Sequence, residues 1–234
     1  PDGPNLAGLL RVVHEVEGIE RIRFLTSHPS YFTEELMDTI AELPKVMPHI
    51  EVPIQAGDDE VLRNMKRGYT QQQYRDLVAK IRERIPGCSI ATDIIVGFPG
   101  ETDEQFMETY RVLSDLKLDV AHLARYSSRE GTVATRRMID NVTDEEKMRR
   151  FRMLEELQEE VVREINKKYL GETVEGLFEE KVKGRWRGRT PTNKLVFVES
   201  DENLKGKILP VTITWTGPWS MQANLQRQPE LISV

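Results

Sequence analysis

"DIIVGFPGETDEQF", Asp93 to Phe106, decides how the first part of the chain is built. An apolar run meets two glycines and a proline, and an acid follows before helical spacing sets in. A P-loop needs a lysine and a hydroxyl residue after its second glycine. Here Glu101 and Thr102 follow Gly100, and the acid repels phosphate. A dinucleotide fingerprint needs G-x-G-x-x-G, and only Gly97 and Gly100 are present. Two readings remain. As a plain βα turn, Pro99 fixes one dihedral, Gly100 permits positive φ, and Thr102 or Glu101 caps the next helix. As the end of a parallel barrel strand, where ligands meet the loops, the same stretch has a second use. Gly97 then lets a flat ligand approach the backbone, and Glu101 accepts hydrogen bonds from an amine or hydroxyls.

Working outward, strand-like and helical stretches alternate from Ile22 to Ser127. "RIRFLTS", "HIEVPIQAG", "CSIATDIIVGF" and "LDVAHLARYS" read as four strands. Between them lie helices: Glu34 to Leu43 capped by Thr33, "DDEVLRNMKR", "TQQQYRDLVAKIRERI" capped by Thr70 and stopped at Pro86–Gly87, and "ETDEQFMETYRVLSDL". Strands separated by helices imply right-handed βαβ units around a parallel sheet. Apolar runs such as "IIV" suggest strands covered on both faces. "TDEEKMRRFRMLEELQEEVVREINKKYL" is one long amphipathic helix. Thr143 and Glu146 form its capping box, and Met148, Phe151, Leu154, Leu157, Val161 and Ile165 form its apolar stripe. After Gly171 the period drops to two, and "TVEGLFEEKV", "KLVFVES" and "KILPVTITW" read as strands of a small antiparallel barrel or sheet. The expected division is therefore 1–170 and 171–234.

The composition, 38% apolar and 31% charged over 234 residues, is that of a chain with a real core. No apolar run approaches the ~18–20 residues of a membrane helix. One cysteine, Cys88, excludes an internal disulfide and a cysteine-rich metal site, and fits a reducing, cytoplasmic setting. Cys88 stands at the entry to its strand, the wrong end for catalysis, and reads as a packing residue. The net charge of −6 exerts no overall pull on nucleic acid, so such a partner must be met by a local patch. "PDGPNLAGLL" lacks an initiator methionine and suggests the later part of a longer protein.

Three other strand ends are polar and marked by glycine or proline: "TSHP", "QAGDD" and "RYSSREGT". Each alone is a turn, and His28 alone is a hydrogen-bonded turn residue; together they suggest a cleft at a barrel mouth. "KVKGRWRGRTPTNK" carries Lys181, Lys183, Arg185, Arg187, Arg189 and Lys194 with no acid, and Trp186 among them. A solvated hairpin is the plain reading. In an acidic chain, a basic aromatic patch confined to a β-domain points instead to phosphate contacts and base stacking on looped RNA.

"IRFLTSHP", "VPIQAGDDEVLRNMKRGYT", "TDIIVGFPGETDEQF", "YSSREGT" and "GRTPTNKLVFVES" together resemble the methylthiotransferase branch of the radical S-adenosylmethionine (SAM) enzymes. The resemblance covers nearly the whole chain. It implies a partial parallel (βα) barrel of radical SAM type, its first strands missing, followed by a small antiparallel TRAM domain that holds RNA. It implies S-adenosylmethionine against Gln55, Gly57, Asp93, Gly97, Gly100, Glu101, Tyr126 and Ser127, with Ser128 beside them. It implies RNA against Lys183, Arg185, Trp186, Arg187, Arg189, Thr190, Asn193 and Lys194. The activity implied is radical methylthiolation of C2 of isopentenyladenosine beside the anticodon. The partner is then the tRNA anticodon stem-loop, not DNA or membrane, and the protein is a monomer.

The family reads "QSGS" where this chain has "QAGD", and Pro-Gly-Thr where it has Glu130-Gly131-Thr132. It also holds two 4Fe-4S clusters, one on C-x-x-x-C-x-x-C and one on three earlier cysteines. Cluster ligation takes three or four thiolates, so this chain by itself is expected to be inactive, a C-terminal fragment with no catalytic or metal-binding residue. Related targets are threonylcarbamoyladenosine in tRNA and a ribosomal protein. Ala56 after Gln55 and the tail "TPTNK" favour tRNA over the protein target. A non-catalytic RNA-binding module is the remaining alternative.

Overall fold

Thr33, Asp58, Thr70 and Thr102 each stand one residue before a helix, and each side-chain oxygen accepts from the first open amides of the turn. Those caps set the spacing of the first half. The computed structural model describes residues 5–25, 28–129, 131, 135–136 and 138–226. It divides into two compact units, Pro1–Val161 and Val162–Val234. The division falls within the long helix, whereas the sequence expectation put a boundary behind it, near residue 170.

In the first unit, α1 (Leu6–His14), a 3-10 turn (Pro29–Tyr31) and α2 (Glu34–Glu42) precede β1 (His49–Glu51). Then follow α3 (Asp59–Asn64), α4 (Gln71–Arg84), β2 (Ser89–Val96), α5 (Asp103–Leu116), β3 (Val120–Arg125) and α6 (Asp144–Lys167). The sheet is parallel, in the order β1-β2-β3. Both α4 and α5 begin with full capping boxes, Thr70 with Gln73 and Thr102 with Gln105. The box expected for α6 is half made. Thr143 Oγ1 accepts from Glu146 N at 3.2 Å, but the Glu146 carboxylate turns to Arg149 and Arg150.

Two expected strands are shorter than their sequence. "RIRFLTS" contributes one parallel bridge, Ile22 to Val46, and Thr26 and Ser27 lie outside the described residues. Its partner segment sits between Pro44 and Pro48, which have no amide to donate, so the ladder cannot extend. "HIEVPIQAG" is regular only over His49–Glu51. Pro53 interrupts it, and pairing resumes through Gln55 N to Asp93 O at 2.9 Å and Ile95 N to Gln55 O at 3.0 Å.

The sheet is covered on one face. Ile90, Thr92, Ile94 and Val96 are at most 1% exposed, and Tyr74 of α4 reaches over to donate to Val52 O at 2.9 Å. The opposite face is buried at Ser89 and Ala91 but opens toward the end of β2, where Asp93 and Ile95 are half-buried and their register partners His122 and Ala124 are exposed. Burial on both faces, the usual state of a parallel sheet, thus holds for the first half of β2 and not for its end among the described residues.

The second unit is a closed barrel in the order β4-β5-β6-β8-β7: Thr173–Val182, Arg185–Arg189, Leu195–Val198, Met221–Leu225 and Ile208–Thr216. All pairs are antiparallel except β6 with β8. Closure leaves no open edge for another chain to pair with. The sequence reading missed β5 and β8. In "RWRGR" and "MQANL" the inward residues are Trp186, Gly188, Met221 and Ala223, and charges, amides and a glycine hide the alternation. Phe178, Trp186, Val196, Val211, Ile213 and Met221 fill the core.

The Phe178 ring lies over two glycines. A Cβ on Gly188 would stand 2.8 Å from its Cδ1 and 2.7 Å from Leu177 O. Gly188→Ala is expected to destabilise the chain by about 1–3 kcal/mol through overpacking, read as a lower urea midpoint with unchanged slope. A midpoint equal to wild type would show that the ring has room to move.

Candidate functional site

The turn from β2 to α5 is built against α6. Gly97 has φ of +72°, and a Cβ there would lie 2.3 Å from Cγ of Lys147. The glycine is thus demanded by a lysine stem of the protein itself. The Lys147 ammonium donates to Asp140 Oδ2 at 2.6 Å and stands 5.5 Å from the Tyr126 ring, which meets Phe98 edge-on at 5.3 Å. Gly100 also has positive φ, and its amide donates to Asn141 Oδ1 at 2.7 Å.

Glu101 is held by partners within the protein. Its side chain is 1% exposed, and Oε2 accepts from Gly97 N at 2.7 Å and from Arg150 Nη1 at 2.8 Å. Arg150, 4% exposed, donates through Nε to Glu146 at 2.7 Å. Burial pushes the Glu101 carboxyl above its ordinary range, against the pull of the Gly97 amide and Arg150. The carboxylate braces the loop against α6 through Oε2. Gly57 is likewise structural. A Cβ there would meet the Thr109 backbone at 2.5 Å, and its amide donates to Thr109 Oγ1 at 2.8 Å.

Four expected residues stay available. Gln55 is a buried non-glycine residue at φ +76°, and its side-chain amide makes no hydrogen bond among the described residues. Strain of this kind persists where the surroundings impose it, and it gathers at functional sites. Asp93 presents a half-buried carboxylate on the open sheet face, without a hydrogen bond or ion pair from its side chain among the described residues. Tyr126 and Ser127 line an open cleft of about 410 Å³ with Ile95, Phe98, Ala124 and Arg125. Of the fourth polar strand end, Glu130 and Thr132 lie outside the described residues, as do Thr26 and Ser27 of the first. His28 caps the 3-10 turn, accepting from Ser30 N at 3.3 Å.

Sequence reasoning missed Lys147 and Arg150. They are buried with Gln158 beside Leu154, Leu157 and Val161 of the expected stripe, whose Met148, Phe151 and Ile165 are half-buried. The only local signal was a pair of cations three residues apart with an acid, Glu146, beside them.

On the barrel, the basic stretch divides by strand alternation. Trp186 is 7% exposed and packs in the core, so its ring is not offered to a base. Thr190, 1% exposed, accepts from Lys194 N at 3.0 Å, and Arg189 Nη1 donates to Asn193 Oδ1 at 3.2 Å. "TPTNK" is therefore a self-bonded turn, with Asn193 at φ +64°. Lys194 is 8% exposed. Arg187 forms an ion pair with Glu180. Arg185 makes no ion pair among the described residues; its guanidinium lies 5.2 Å from the Phe197 ring. Lys183 stands exposed in the turn between β4 and β5.

Residues 1–113 match the radical SAM superfamily, and residues 167–225 match the TRAM domain. Among curated relatives, the tRNA-2-methylthio-N(6)-dimethylallyladenosine synthase of Roseiflexus sp. (strain RS-1) is 51% identical over 98% of this chain and 49% of its own length. That of Herpetosiphon aurantiacus is 50% identical over 96% of this chain and 52% of its own length. The chain spans about half the length of the curated relatives it matches. Among solved structures, the radical SAM enzyme coproporphyrinogen III oxidase from Escherichia coli superposes with a TM-score of 0.52 at 19% identity. That match takes in 60% of this chain and 32% of that one, and carries the fold alone.

Two outcomes follow from the α6 contacts. Gly97→Ala is expected to cost about 2–5 kcal/mol, from the left-handed backbone together with the collision. Adding Lys147→Ala should return about 1–3 kcal/mol of that in a double-mutant cycle by urea unfolding, and additive losses would exclude the contact. The Arg149 and Arg150 guanidiniums hold the Glu146 carboxyl down to about 2. A depressed acid contributes stability above its unfolded value near 4.5 and loses it as pH falls toward 2. Glu146→Gln should therefore lower the thermal midpoint at pH 7 and converge on wild type near pH 2; parallel curves would refute the linkage.

Proposed function

The chain belongs to the radical SAM superfamily and carries a TRAM domain, and from that premise we propose that it is part of a tRNA-2-methylthio-N(6)-dimethylallyladenosine synthase. The observation that carries this reading is identity near 50% across almost the whole chain, through both units, to synthases of that name. The substrate is then isopentenyladenosine beside the anticodon, presented by the tRNA anticodon stem-loop to a single copy of the protein in the cytoplasm.

The open sheet face fits an adenosyl cofactor. Asp93 on that face, and the strained, buried Gln55 whose backbone pairs beside Ile94, have side chains with no hydrogen bond among the described residues and suit an amine and hydroxyls, and the cleft beside Tyr126 has room for a flat ring. Bound there, S-adenosylmethionine would be the radical precursor for removing hydrogen from an unactivated carbon, its one-electron reduction depending on a donor that these residues do not hold. Gln55 and Asp93 orient the cofactor by hydrogen bonds, and Tyr126 with Phe98 shields one side of it from water. Lys147, Arg150 and Glu101 hold the loop and touch no ligand. Iron–sulfur clusters do not fit the residues present. The sequence holds one cysteine, Cys88, at the opposite end of β2 from the cleft, and a cluster takes three or four thiolates. The cluster ligands of the whole enzyme then belong to residues outside this sequence.

Titration calorimetry with S-adenosylmethionine tests the cofactor reading on the chain as it stands. Saturable binding is expected, weakened about tenfold by Asp93→Asn or Gln55→Ala, the loss of one hydrogen bond to a charged group. Wild-type affinity in both variants would remove these residues from the site.

A further inference from the structure

The barrel's outer face carries a row that the basic stretch did not announce. Arg187 on β5 pairs with Phe197 on β6, Phe197 with Gln222 on β8, and Gln222 with Trp215 on β7. These four residues stand side by side in register across four adjacent strands. The chain neighbours of Phe197 and Gln222 point the other way: Val196, Val198, Met221 and Ala223 are core residues. On β7 the register shifts between the core residue Ile213 and Trp215, and that irregularity turns Trp215 outward. Gln222 is exposed, Phe197 is half-buried, and Trp215 is 48% exposed. Trp219, 57% exposed, lies in the turn after β7. The Trp215 ring lies over Gly217, where a Cβ would come within 2.4 Å of it, so the indole has a fixed seat.

We propose that Phe197 and Trp215, with Gln222 between them and Arg185 at one end, form the platform on which unpaired bases of a single-stranded RNA loop stack. This rests on the reading of the second unit as an RNA-holding domain and replaces Trp186 as its aromatic contact. Three observations choose RNA as the occupant. The aromatic rings alternate with a guanidinium and an amide, the mix that stacks bases and hydrogen-bonds their edges. Neighbouring strands lie about 4.8 Å apart, so Phe197 and Trp215, two strands apart, are spaced for separate bases. The cations flank the row at the Phe197 end: Arg185 over the ring and Lys183 in the adjoining turn, placed for the phosphates of the same strand.

The test titrates the 234-residue chain with a fluorescein-labelled RNA hairpin carrying an adenine-rich loop, and with the same stem fully paired. Phe197→Leu, Trp215→Ala and Trp215→Phe are compared with wild type, with thermal unfolding of each variant as the folding control. Phe197→Leu and Trp215→Ala should each weaken hairpin binding by about 5- to 150-fold, the range of one lost base–aromatic stack. Their salt slope should be unchanged, and Trp215→Phe should restore most of the affinity. Arg185→Ala should instead lower the salt slope by about 1. Wild-type hairpin affinity in Phe197→Leu and Trp215→Ala overturns the platform while leaving the RNA-holding domain standing. Equal binding of the paired stem also overturns it. A wild-type chain that binds neither RNA overturns both.

Discussion

A buried arginine from a late helix holds the loop that follows the central strand. Arg150 donates to Glu101, Glu101 accepts from the amide of Gly97, and the stem of Lys147 fills the space that Gly97 leaves empty. Two charges taken out of water stabilise little in net terms, because desolvation consumes most of their attraction. Removing one partner, however, strands the other, at a cost of about 3–5 kcal/mol. The pair thus acts more as a specification of geometry than as a source of stability. It fixes where β2 ends, where α5 begins and which residues at that end remain uncommitted.

What remains uncommitted is informative because so much else is used. Glycines and an acid that look like ligand contacts in one dimension are packing and strut residues in three. Gln55 and Asp93, by contrast, have polar side chains with no hydrogen bond among the described residues. A polar face on a parallel strand is stable where it lines a cavity or meets further protein. The proposed cofactor site uses that open part of the sheet face.

The barrel applies the same logic through strand alternation. In "RWRGR" the period of two sends Trp186 and Gly188 inward and the three arginines outward, so composition alone misassigned the tryptophan. Phe197, in an apolar run that reads as core, faces out beside Arg185. Only the register across β5, β6, β8 and β7 aligns it with Gln222 and Trp215.

Local chemistry was legible wherever a few neighbouring residues settle it. The caps at Thr33, Thr70 and Thr102, the stop at Pro86–Gly87, the βα alternation and the change of period after Gly171 all depend on contacts within a few residues. The sequence by itself determined an α/β part followed by a small β-domain, and brought Asp93, Gln55 and Tyr126 into view. Tertiary structure alone decided that Ile22 makes the one bridge of its stretch among the described residues, that Glu101 is ion-paired to Arg150 and that Trp186 is core. The physical reason is distance along the chain: Glu101 and Arg150 are brought together by packing, which no local pattern encodes.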